Sequence, residues 1–245
     1  MFLVKNISKT YNKKNYKAVD DISFEVKAGE IFGIVGPNGA GKSTLIKMAV
    51  GILNIDEGDI VLDGYSIKND SLQAKHRIGY VSDDHQVMER LTGREYLNFI
   101  ANIYRLDKEQ ALKSINSLSE RFGLTSALND IIKTYSHGMR QKLCIIASLI
   151  NNPKVWILDE PLTGLDPQSS FELKKCMKEH ARKGNVVVFS SHVLEVVEKL
   201  CDRVGIIHNG KLLTVSSVQD IKNTMSGHTF EEAFISITGR GEMNE

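Results

Sequence analysis

The chain has 245 residues, 42% of them hydrophobic and 25% charged, with Lys+Arg 31 against Asp+Glu 30 and a formal net charge of +1. That length suits one large α/β domain with room for a helical insertion, and the apolar content is enough to bury a core. The charge balance gives no broad electrostatic reason to expect nucleic acid as a partner. Three scattered cysteines, Cys144, Cys176 and Cys201, form no CxxC pair, which argues against a disulfide framework or zinc site and suits a reducing cytosol.

The first residues, MFLVKNISKTYNKKNYK, carry no apolar run long enough for a signal peptide. Apolar stretches such as the one ending at Ile150 fall short of the roughly 20 residues that span a bilayer. The sequence therefore predicts a soluble chain, with any membrane role supplied through another chain. Short strands are predicted at Phe2–Ile7, Ile22–Val26 and Ile31–Val35, then a glycine-rich turn and a helix through Leu45, Ile46, Met48 and Ala49. Strand-like pieces resume at Ile60–Leu62 and Ile78–Val81. From about Thr92 to Asn151 the spacing turns helical, as in Leu97, Ile100, Ala101 and Tyr104. Three strands follow Pro153: Val155–Leu158, Val186–Phe189 and Val204–Ile207. A last stretch, Thr229–Thr238, sets Phe230, Ala233, Phe234 and Ile237 at helical spacing and reads as a short helix packed on the core. This alternation around a helical block predicts a parallel-sheet core carrying a helical subdomain.

The strongest motif runs Gly36, Pro37, Asn38, Gly39, Ala40, Gly41, Lys42, Ser43, Thr44 and matches GxxxxGK[ST] between a strand and a helix. Glycines let backbone N–H groups turn toward phosphates, and the helix N-terminus adds partial positive charge. Lys42 is placed for the β- and γ-phosphates and Ser43 for Mg²⁺. A second motif, Lys154 to Pro161, is an apolar strand ending in Asp159 and Glu160. An acidic pair after a strand also reads as a helix cap. Beside a phosphate loop it reads as a Mg²⁺ ligand followed by a general base.

Further along the chain come Tyr135-Ser136-His137-Gly138-Met139-Arg140-Gln141, then Gly164-Leu165-Asp166, then His192 after a strand. In that order, these motifs resemble the ABC ATPases over nearly the whole chain. YSHGM stands where the family carries LSGGQ, with His137 for a glycine and Met139 for a glutamine. Ser136 and Gly138 keep a hydroxyl and a bare backbone at a helix start. The resemblance implies a D-loop at Asp166, a switch histidine at His192 and an adenine-stacking aromatic at Tyr11. It also places the glutamine loop at Ile78–Asp83, where this chain has Asp83, a shorter and normally ionised side chain.

What the resemblance implies is an α/β P-loop NTPase core with an antiparallel β subdomain and an inserted helical signature subdomain. The expected layout is a single ATPase domain over 1–225, helical insertion at about 84–151, and a short helical tail at 226–245. Function follows the family too: ATP with Mg²⁺ bound between two ATPase subunits, identical or not, and hydrolysed with Glu160 and His192 to drive a separate membrane permease. Such a subunit sits at the cytoplasmic face of the membrane, and the YSHGM signature, Asp83 and the Thr229–Gly239 tail together resemble exporters, with a peptide, drug, lipid or ion as the cargo. The alternative is a soluble ABC-type ATPase of translation or DNA maintenance. Those proteins usually carry two ATPase domains or a long coiled coil, and this sequence shows neither.

Overall fold

The computed structural model describes residues 1–11, 16–84, 87–224 and 229–242. Strands β1 (Phe2–Tyr11) and β2 (Tyr16–Val26) form an antiparallel pair, longer than their apolar alternation alone predicts. Phe2, Val4 and Ile7 of β1 and Val19, Ile22 and Val26 of β2 are all buried, so one face of the pair closes over the core. β3 (Ile31–Val35) leaves this sheet and runs straight into the phosphate loop and α1 (Lys42–Ala49). β4 (Glu57–Leu62) and β5 (Tyr65–Ser66) then complete the antiparallel sheet in the order β2-β1-β4-β5.

After α2 (Ser71–His76) comes β6 (Ile78–Val81), followed by the predicted helical stretch: α3 (Gly93–Ile103), α4 (Lys108–Arg121) and α5 (His137–Leu149). Thr92 and Glu95 form a capping box that starts α3, and Asp107 caps α4. Next are β7 (Val155–Leu158), α6 (Pro167–Arg182), β8 (Val186–Ser191), α7 (Leu194–Leu200), β9 (Arg203–His208), β10 (Lys211–Ser217), α8 (Val218–Thr224) and α9 (Phe230–Glu242). The second sheet has the order β10-β9-β3-β8-β7-β6, parallel except for β10. β10 is not among the strands expected from the sequence, for a physical reason. It is an edge strand whose residues are mostly half-exposed, so it needs no continuous apolar run.

β7 is buried along its whole length, with Trp156 between α5 and α6. The indole N–H donates to Ser148 Oγ of α5 at 2.9 Å, and the ring meets His180 of α6 edge-on at 5.5 Å. Burial holds the His180 imidazole neutral, its pKa pushed down to about 4. Arg121 at the end of α4 reaches across to Glu172 and Glu179 of α6, which ties the inserted helices to the sheet layer. Phe230 and Ala233 of α9 are fully buried against α7 and α8, so the last helix packs on the core. Among the described residues, no helix is long and apolar enough to cross a membrane.

The sheet positions the site. Parallel strands β3, β8, β7 and β6 end along one edge, and the residues just beyond those ends are the phosphate loop, His192, Asp159 with Glu160, and Asp83. Open parallel sheets bind ligands at this carboxyl edge.

Candidate active site

The phosphate loop shows two different uses of glycine. A Cβ on Gly36 would collide with the Ile207 carbonyl of β9, and one on Gly41 (φ +105°) with the Ala18 carbonyl of β2. These two glycines are thus required by the protein's own backbone packed behind the loop, rather than by an approaching phosphate. Gly39 (φ +82°) has open space where its Cβ would be and needs glycine only for its left-handed conformation. Pro37, Asn38 and Gly39 are exposed at the loop's crest, and Ala40 is buried beneath. The Asn209–Gly210 turn braces the loop: Gly210 N–H donates to the Ala40 carbonyl and its own carbonyl accepts from Asp20.

Lys42 is only 7% exposed and donates to the carbonyls of Gly36 (2.7 Å) and Pro37 (3.0 Å). Burial lowers its pKa, while the charges of Glu160 and Asp159 work the other way. An ammonium has three hydrogens, and the loop takes two. At the start of α1, Gly41 provides no side-chain cap for the first N–H groups. Thr44, in the first turn, is half-buried.

Asp159 is 1% exposed, and burial raises its carboxyl pKa. The Ser190 hydroxyl donates to it at 2.6 Å and, with the nearby Ser43 hydroxyl, opposes that shift, while nearby Asp83 and Glu160 add to it. Asp83 itself is exposed just beyond β6, so its charge reaches the pocket while its side chain faces solvent. The residues present fit Mg²⁺: hard oxygen donors in Ser43 and Asp159, beside a buried carboxylate lacking a full counter-charge. Among the described residues, no group of three or more His, Cys, Asp or Glu is arranged to hold a metal ion by itself.

Glu160 adopts φ +46°, a left-handed conformation that costs a non-glycine residue about 1–2 kcal/mol. Its Oε2 lies 2.9 Å from His192 Nδ1. An ionised carboxylate only accepts, so Nδ1 carries the hydrogen when the imidazole is neutral. The two residues separated by 32 positions in sequence are thus hydrogen-bonded neighbours.

Residues 19–163 match the ABC transporter family. The chain belongs to that family. It is 39% identical over 236 residues to the linearmycin resistance ATP-binding protein LnrL of Bacillus subtilis, covering 96% of this chain and 75% of LnrL. It is 34% identical to the B. subtilis ABC transporter ATP-binding protein NatA, covering 94% of each. Among solved structures, an ATP-binding subunit of an ABC transporter superposes with a TM-score of 0.92 at 30% identity, over 97% of this chain and 99% of that one. The dimeric ATP-binding cassette MJ0796, bound to ADP and Pi, shares the fold with a TM-score of 0.81 at 23% identity, over 89% and 98% of the two chains. This ABC protein is accordingly an ATP-binding transporter subunit and an ATPase.

The remaining predicted site residues of the ABC subunit lie on β1, α5 and α6. Tyr11 closes β1 and is exposed. Ser136 caps α5, its hydroxyl accepting from Met139 N–H at 3.2 Å. His137 and Gly138 pack on Gly164, where any Cβ would strike the His137 ring. Asp166 caps α6 and pairs with Lys142 of α5 at 2.8 Å. Two buried residues escape a reading of the sequence. Gln141 donates its side-chain N–H to the Pro161 carbonyl at 2.7 Å, joining α5 to the residue after Glu160. Ser190 bonds both acidic residues. Gln141 closes the signature stretch, whereas nothing in the sequence distinguishes Ser190 from Ser191.

Proposed function

We propose that this chain powers export through a separate membrane permease, closing as a dimer around ATP and reopening after hydrolysis. The observation that carries the ATP-driven part is the convergence of Lys42, Ser43, Asp159, Glu160 and His192 at one sheet edge. The relatives support the transport class: LnrL is named for linearmycin resistance, and YbhF of Escherichia coli, 33% identical over 91% of this chain and 39% of that one, as a probable multidrug ATP-binding protein. A drug is the cargo class these names favour.

In this reading Gly36 to Thr44 wrap the phosphates, Lys42 meets the β- and γ-phosphates, and Tyr11 stacks on adenine. Ser43 and Asp159 would hold Mg²⁺, which would supply charge neutralisation at the phosphates. Glu160 takes the proton of the attacking water, and His192, held by Glu160, steadies the γ-phosphate. Ser136 and Gly138 of the second subunit complete the site. The Ser136 hydroxyl accepts from Met139, which leaves its hydrogen for a phosphate oxygen. Asp83 would act on that cation through water, and Asp166 would lie at the crossing between subunits. Residues 1–225 form one ATPase domain with the helical part at about 84–151, and 226–245 form a tail. The permease docks beside Asp84–Tyr96, next to a groove lined by Tyr80, Tyr96, Ile100 and Tyr104. His85 and Gln86 of that segment lie outside the described residues.

The test is Glu160→Gln. ATP binding should persist while turnover falls about 10²–10⁴-fold, and the ATP-bound variant should elute as a dimer. Wild-type turnover would remove Glu160 from its role, and a monomer with ATP would overturn the closure reading. For direction, inside-out vesicles carrying wild-type chain and permease should accumulate a drug on ATP addition. Accumulation confined to right-side-out vesicles loaded with ATP inside would reverse the assignment to import.

A further inference from the structure

The parallel register of β7 and β8 pairs Leu158 with Phe189, so the next residues, Asp159 and Ser190, stand side by side. Ser190 is fully buried. Its hydroxyl lies 2.6 Å from Asp159 Oδ1 and 2.9 Å from the backbone nitrogen of Glu160. Chemistry forces the direction of both bonds. A backbone N–H only donates, so the hydroxyl oxygen accepts from Glu160. An ionised carboxylate only accepts, so the hydroxyl hydrogen goes to Asp159. One hydroxyl therefore fixes the side chain of one acidic residue and the main chain of the next.

Both partners need fixing. The terminal torsion of an Asp side chain is soft, and a rotated Asp159 carboxylate would face away from Ser43. Glu160 sits at φ +46°, and such a peptide persists only where its surroundings hold it. Gln141 grips the following peptide through the Pro161 carbonyl, so Glu160 is anchored on both sides.

We infer that Ser190 is a positioning residue for ATP hydrolysis, orienting Asp159 toward the cation while setting the backbone from which the Glu160 carboxylate reaches the attacking water. This rests on the proposed roles of Asp159 and Glu160. Ser190 acts only through them.

Three variants of the full chain test it. Ser190→Ala removes the hydroxyl. Ser190→Thr keeps it, and Ser190→Val matches Thr in shape without it, so the Thr–Val pair cancels the effect of the added methyl group. Losing a hydrogen bond to a charged group should lower kcat of Ser190→Ala about 10- to 100-fold, with KM for ATP changed less than about threefold. ATP binding in EDTA should be unchanged, and melting followed by the buried Trp156 should remain cooperative. Mn²⁺ affinity of the nucleotide complex, read by electron paramagnetic resonance, should fall several-fold in Ala and Val and recover in Thr. Wild-type kcat and Mn²⁺ affinity in both Ala and Val would overturn the proposal, as would Thr no better than Val in both readouts. Asp159→Asn and Glu160→Gln are measured beside them. If those two retain turnover, the reading of the site fails. If they lose it and Ser190→Ala does not, only the role of Ser190 fails.

Discussion

Two helices of this protein begin at functional turns, and they begin in opposite ways. α1 starts at Gly41, left-handed and without a side chain to cap the first N–H groups of the helix. α5 starts at Ser136, in extended conformation, with its hydroxyl closing the first turn onto Met139. The first start is hemmed in by backbone, because the Ala18 carbonyl leaves no room for a Cβ at Gly41. The second is held by side chains: Gln141 to Pro161, Lys142 to Asp166, and His137 over Gly164. A helix end left open binds an anion without rearrangement. A capped one is stable alone and offers only its spare hydroxyl hydrogen to a partner's phosphate. The difference fits the proposed division between a primary nucleotide site and a secondary contact made on dimer closure.

The comparison predicts its largest effect at Gly41. Gly41→Ala combines an unfavourable φ with a backbone collision and should destabilise the protein by about 2–4 kcal/mol, read by chemical denaturation. Gly39→Ala, with open space around the new carbon, should lose only about 1 kcal/mol. Equal losses would show that conformation alone, and not packing against β2, shapes the loop.

A middle-sized effect is expected at Ser136. Ser136→Ala removes a cap worth about 1 kcal/mol and should also weaken ATP-driven dimerisation. Ser136→Asp keeps a good cap, and so wild-type stability, but sets a negative charge where the partner's phosphate arrives. Stability measured by urea unfolding should therefore separate from dimerisation measured by size exclusion. A Ser136→Asp variant that still closes on ATP would break the proposed contact.

The smallest effect belongs to Asp166. Its hydrogen bond with Lys142, with help from Ser169, holds the carboxyl well below the usual carboxylate range. A depressed folded pKa contributes stability above the unfolded pKa of about 4, lost as pH falls through the folded value. The group is half-exposed, so solvent screening keeps that contribution small. Asp166→Asn retains a capping side chain and should lower stability at neutral pH by only a few tenths of a kcal/mol. A loss above about 1 kcal/mol in thermal denaturation would show that the α5 start depends on this ion pair.

Motifs made of neighbouring residues are legible in the sequence itself. Gly36–Thr44 carries its own strand, turn and helix signals, and Asp159–Glu160 follows an unbroken apolar strand. His192 is one residue without local context, and only the order of motifs along the family pattern marks it. β10 is not legible, because an edge strand that is mostly half-exposed leaves no apolar signature.

Sequence alone determined the phosphate loop, the acidic pair and the alternation that makes a parallel sheet, because each is written over a few adjacent residues with one local solution. Tertiary structure decided which residues support them. The reason Gly36 and Gly41 must be glycine lies in carbonyls of β9 and β2, far along the chain. The role of Ser190 depends on the register between β7 and β8, and a one-residue slip would turn its side chain to the other face. Contacts between residues tens of positions apart follow from strand order and register, which arise only when the whole core packs.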